Sequence, residues 1–182
     1  MGINPFRVAV VLAATVSIGA AACAPDAGEG AAQAAASTEP SDRAVQTGTA
    51  GVQFHASDVT RGLGLPFSES ARVGDLLLLS GMIGTRPGTL ELVPGGLAAE
   101  SRQALENIRS ILEAAGASIH DVAKCTIMLD DMTQWSAFNR VYVEFFGSHR
   151  PARSAFGVDG LALGAAVEIE CIAVAPGARD AS

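Results

Sequence analysis

Three ionisable side chains in the C-terminal third of the chain are spaced so that they could work together. Arg153 lies in PARSAFGV, a run that alternates like a β-strand. Ala155 and Gly157 share its face, and Phe156 and Val158 take the other. In VEIECIAV, Val167, Ile169 and Cys171 share one face while Glu168 and Glu170 share the opposite one, so two carboxylates project side by side. A guanidinium among side chains too small to cover it can take a substrate carboxylate through paired hydrogen bonds. A glutamate beside it would position or activate a water. The structural alternative is a solvated acidic face with a cation opposite. Ser80-Gly81, at the exit of an apolar run, offers a hydroxyl and backbone amides to a ligand, or simply turns the chain.

Other chemistries find no support in the spacing. There is no nucleophile elbow with Ser, His and Asp in order, and GLGLPFSES lacks the G-x-G-x-x-G pattern of a phosphate loop. His55, His120 and His149 are not at ligand spacing and no C-x-x-C pair occurs, which predicts no metal and no cofactor. Cys125 and Cys171 sit in separate strand-like runs. They read as two small buried thiols, since a bridge would require their strands to set them face to face. The net charge is -7 and Lys124 is the only lysine among twelve cations, which argues against nucleic acid as a partner.

The first 22 residues read as a secretory signal. Arg7 precedes an apolar and small-residue stretch from Val8 to Ala22, too short to span a membrane comfortably. The sequence AAAC resembles a bacterial lipobox, with Cys23 as the residue to be lipidated; cleavage near Ala22 without lipidation is the alternative. Residues 23–51 are rich in Ala, Gly, Ser, Thr and acids and offer little to bury, which predicts a disordered tether. The folded domain is expected over 52–176, with a short tail at 177–182. The chain is therefore expected to be exported, free in the periplasm or held to a membrane through Cys23.

The elements that must position Arg153 and Glu168 are legible within the domain. Leu76 to Leu79 reads as a buried strand after the Gly74-Asp75 turn, and a short Leu90-Glu91-Leu92 strand sits between Pro-Gly turns. Leu97, Ser101, Ala104, Leu105, Ile108, Ile111, Leu112 and Ala115 recur at helical spacing and Gly116 follows as a stop. Glu100, Arg102, Glu106, Arg109 and Glu113 populate the polar face. Val122 to Leu129 alternates as a strand. A second helix runs from Gln134 to Phe146, with Thr133 as N-cap and Trp135, Phe138, Val141, Tyr142 and Phe145 on one side. The order β-β-β-α-β-α-β-β implies an α+β sandwich with both helices on one sheet face. Leu76 to Leu79 and Ile172 to Val174 are apolar on both faces, which predicts that a neighbouring copy buries the second face.

LPFSESARVGDLLLLSGMIG, RQALENIRSILEAAGASIHDVAKCTIMLDDM, FNRVYVEFFGSHRPARSAFGV and VEIECIAVAP together resemble the RidA/YjgF family of imine deaminases, also called the L-PSP endoribonuclease family. The resemblance spans about Gly64 to Pro176. It implies a chorismate-mutase-like α+β fold with a mixed sheet, and a homotrimer with ligand clefts between subunits. It implies hydrolysis of 2-imino or enamine acids to 2-keto acids and ammonia. Arg153 of the PARS motif would clamp the substrate carboxylate, Glu168 of the EIE motif would position water, and Glu170 would be structural. Phe67, Ser80, Gly81 and Ala155 would contact substrate. Phe67 stands where the family usually has tyrosine, Met82 where it has glutamine and Ala155 where it often has cysteine, which together suggest a more apolar pocket. The alternatives are a non-catalytic trimer that binds small carboxylates and, third, an endoribonuclease.

Overall fold

The computed structural model describes residues 45–48 and 51–175. The leader, Cys23 and the tail at 177–182 lie outside them, as does most of the tether. In chain order the elements are β1 (Val45–Thr47), β2 (Val52–His55), α1 (Asp58–Gly62), β3 (Ser70–Val73), β4 (Leu76–Leu79) and β5 (Met82–Ile83). Then come α2 (Gly96–Ala114), β6 (Val122–Leu129), α3 (Trp135–Phe146), β7 (Ala152–Gly157) and β8 (Val167–Val174). The strands form one mixed sheet in the order β1-β2-β3-β4-β8-β6-β7, with β5 added to β8 beyond the end of β4. Among the described residues only the β6–β7 pair is parallel, because α3 carries the chain back between them. This is the α+β arrangement expected from the sequence.

One face of the sheet carries the core. Leu77, Leu79, Cys125, Ile127, Leu129, Val167, Ile169, Cys171 and Ala173 alternate onto it and are buried against Leu105, Ile108 and Leu112 of α2 and Phe138, Tyr142 and Phe146 of α3. Helix α2 follows its predicted stripe and stops at Gly116, whose φ of 75° is one that a side chain would strain. The intervening residues turn to the other face, where Leu76 and Val174 are each 45% exposed and Leu78 is 38% exposed. Leu76 pairs with Val174 and Leu78 with Ile172, so these side chains form one apolar strip across two central strands.

Several expectations need correcting. Cys125 and Cys171 are not free thiols: the β6–β8 register sets them directly opposite one another and they form a disulfide, each residue 1% exposed. Glu100 does not belong to the polar face of α2. It is 7% exposed and accepts a 2.8 Å hydrogen bond from the Ala166 amide, since this first turn of the helix packs directly on Gly84. A Cβ on Gly84 would lie 2.5 Å from the Glu100 Cα. Leu90-Glu91-Leu92 is not a strand; only Leu92 pairs, in an isolated bridge to Thr85. Thr133 is not the N-cap of α3: that position is Gln134, with no side-chain cap, and Asp131 instead caps the preceding 3-10 turn, Met132–Gln134, accepting from the Thr133 amide at 2.8 Å. The polar segment before Val52 also contributes, as β1 pairs antiparallel with β2.

Candidate active site

Glu168 owes its position to the break between β4 and β5. Both strands pair with β8, and Ser80-Gly81 carries the chain from one to the other. The Glu168 side chain lies back over Gly81, so closely that a Cβ there would come within 2.8 Å of the Glu168 Cδ. A side chain at this point would displace the Glu168 carboxyl from where it lies. The carboxyl is half-buried. Burial raises its pKa above the ordinary 4.5, and the neighbouring charge of Glu170 raises it further. Such a carboxyl holds its proton more tightly than an exposed one, and its conjugate base is a stronger acceptor for a proton from water.

Ser80 latches the loop that carries Phe67. Its hydroxyl donates to the Ser68 carbonyl at 2.6 Å and its amide donates to the Glu69 carbonyl at 3.0 Å. Phe67, 47% exposed, immediately precedes Ser68 in this loop. Phe67, Ser80, Gly81 and Glu168 therefore belong to one region, built by β8, the segment that enters β3 and the segment that leaves β4.

Arg153 and Ala155 belong to the other face. In the parallel β6–β7 register Arg153 pairs with Cys125 and Ala155 with Ile127, and both partners point into the helix-covered core. Glu168 alternates onto the opposite face, in one row with Met128 and Phe156. The ion pair that the sequence allowed between Arg153 and the EIE carboxylates is thus not made within one chain, and among the described residues the salt bridges involve other side chains. Nor is the guanidinium left beside small residues alone. Its Cζ lies 4.6 Å from the centroid of the Trp135 ring and 4.8 Å from that of Tyr142, both on α3.

These aromatics, with Asn139 between them, were not singled out as site residues from the sequence. The available signal was their spacing: Trp135, Asn139 and Tyr142 fall at i, i+4 and i+7 on one helical face just upstream of the arginine strand. The Asn139 Oδ1 and the Tyr142 hydroxyl are buried without a hydrogen-bond partner, and the Tyr142 ring is one of the two that Arg153 faces. Burial raises the Tyr142 phenol above its ordinary 10.0, and the Arg153 charge opposes that rise. Among the described residues no three His, Cys, Asp or Glu side chains are grouped to hold a metal ion.

Comparison with known proteins places this geometry in context. Residues 63–175 match the family model described as Endoribonuclease L-PSP. The chain is 45% identical over 109 residues to the Capra hircus protein named 2-iminobutanoate/2-iminopropanoate deaminase, covering 60% of this chain and 80% of that one. A RutC family protein of Pyrococcus horikoshii is 44% identical over 108 residues, covering 59% and 86% respectively. Among solved structures, RidA from an Antarctic Psychrobacter is 38% identical with a TM-score of 0.58, over 60% of this chain and 88% of that one.

Proposed function

Since the chain belongs to the Endoribonuclease L-PSP family, the family of RidA and YjgF, we propose that it is a deaminase hydrolysing 2-imino or enamine acids to 2-keto acids and ammonia. The observation that carries the reading is the Glu168 carboxyl folded over Gly81 with its pKa raised, in a domain 45% identical to a named imine deaminase. Glu168 in its ionised form takes a proton from water as the water oxygen attacks the imine carbon. That proton passes to the nitrogen to give a neutral carbinolamine; Glu168 then relays the hydroxyl proton to the nitrogen as the carbonyl forms and the C–N bond breaks, and the 2-keto acid and ammonia leave. Arg153 holds the substrate carboxylate through paired hydrogen bonds and fixes the imine carbon in line with the water. Imines hydrolyse unaided, so alignment and one proton acceptor meet the catalytic demand.

One copy cannot bring these two groups together, because they lie on opposite faces of its sheet. The reading therefore includes a homotrimer with clefts between subunits, in which Arg153 of one copy faces Glu168 of the next. The exposed strip of Leu76, Leu78 and Val174 supports it. Phe67 and Ala155 would line the cleft, and Phe67 would supply an aromatic wall without a hydroxyl. RNA is a poor fit to a chain of net charge -7 with one lysine.

Export to the periplasm, with Cys23 as a lipid anchor, also belongs to the proposal. The Cys125–Cys171 disulfide supports it, since such bonds persist in oxidising compartments and are rare in the cytosol. The deciding assay generates 2-imino acids in situ with an amino-acid oxidase and follows ammonia release. The wild-type chain should accelerate release and Arg153→Ala should return it to the uncatalysed rate. Equal rates for the two proteins across several 2-imino acids would defeat the assignment.

A further inference from the structure

Arg153 presents an unusual balance of contacts. Both of its close partners, Trp135 and Tyr142, engage the guanidinium through ring faces. Among the described residues no hydrogen bond or ion pair draws on its N–H groups, so all five donors remain unspent. Ring faces attract the cation through the quadrupole and ask nothing of the N–H edge. The rings are themselves fixed: Trp135 stacks on Phe138 at 6.1 Å, Phe138 packs on Tyr142 at 5.7 Å, and Tyr142 on Phe146 at 4.6 Å. Phe138, Tyr142 and Phe146 are buried in the core, which makes this ladder a rigid support.

We propose that Trp135 and Tyr142 are positioning residues, a π-face seat that holds the Arg153 guanidinium in place while leaving its N–H edge free for the carboxylate of the substrate. The seat rests on the deaminase reading for the identity of that carboxylate, although its geometry does not. Its contribution is to substrate binding. A loosened guanidinium weakens the hold on the carboxylate in ground state and transition state alike, which raises KM more than it lowers kcat.

Trp135 is the chain's only tryptophan, so its emission reports on the seat directly. Titration with 2-oxobutanoate, a product-type carboxylate, is expected to change the emission of the wild-type protein and to leave that of Arg153→Met unchanged. In the imine assay Trp135→Leu should raise KM about tenfold, in line with the usual strength of a cation–π contact, while kcat falls less than about threefold. Trp135→Phe keeps a ring face and should recover most of the loss. A variant that had merely lost folded protein would lower kcat and leave KM alone. The seat is refuted if the wild-type chain hydrolyses imines and Trp135→Leu retains the wild-type KM, or if 2-oxobutanoate leaves the wild-type emission unmoved. If 2-oxobutanoate shifts the emission in an Arg153-dependent way but no imine is hydrolysed, the seat stands and the deaminase reading falls.

Discussion

Glu168 shows how a single residue is made reactive at a cost to the fold. Its carboxyl is raised above its ordinary value, first by burial and then by Glu170. The folded state therefore binds more protons than the unfolded chain between the ordinary value of 4.5 and the raised one. Stability from this group is fully present below that window and is lost as pH climbs through it. Glu168→Gln should lower imine hydrolysis about 100-fold or more and should flatten this decline in urea midpoints measured across pH. On the proposed mechanism, in which ionised Glu168 takes the proton from water, kcat/KM should fall on the acid side as the group protonates. Glu170→Gln removes the second cause of the rise and should move that acid limb to lower pH. A limb unmoved by Glu170→Gln would show that Glu168 does not feel this charge. The alternation of VEIECIAV made both acids legible as neighbours on one face. It gave no sign that Glu168 bends over Gly81, because that contact depends on the crossing between two other strands. The cover over Arg153 was likewise hidden, since strand alternation tells which residues share a face and not which helix lies above them.

At the level of elements, the two long helices and the strands β6 and β8 were legible because each carries an apolar period, β4 because it is an unbroken apolar run after a turn signal, and β7 because apolar and small residues alternate after a proline. β1 and β2 were not, since their polar, Gly-flanked residues gain their conformation by pairing onto the edge of β3 and carry little pattern of their own. The disulfide is the clearest case of information that resides in register. Two cysteines 46 residues apart meet only because β6 and β8 pair with Cys125 opposite Cys171. The same row continues to Arg153, so the cross-link ties β8 to β6, the strand that pairs with the arginine strand β7. Each cysteine is 1% exposed, which shields the bond from reductant while the domain is folded. Replacing both with alanine should cost about 3 kcal/mol in unfolding free energy, read from urea denaturation. Adding dithiothreitol to the native protein should reduce the bond only as fast as the domain unfolds. Rapid reduction of the native protein, or a double variant of undiminished stability, would contradict this role.

The whole molecule poses a problem that no single chain resolves. Its helices cover one sheet face, Arg153 lies on that face at the edge strand, and Glu168 lies on the other beside an exposed leucine strip. The proposed packing against further copies would account both for an apolar strip at the centre of a sheet and for two candidate site residues on opposite faces. Leu78→Glu places a charge in that strip, 38% exposed in the single chain, and should yield a folded monomer by sedimentation with imine hydrolysis reduced at least about 100-fold. A sharper test uses two inactive chains together. Arg153→Ala keeps Glu168, and Glu168→Gln keeps Arg153. If each cleft takes Arg153 from one copy and Glu168 from the next, mixed oligomers contain some clefts with both groups intact. Random assembly of an equal mixture, unfolded and refolded together, should restore about a quarter of the clefts. Mixing the two folded proteins without exchange should restore none. Recovery near that fraction would place the site between subunits. A refolded mixture that forms normal oligomers yet stays inactive would overturn a cleft that takes Arg153 from one copy and Glu168 from the next.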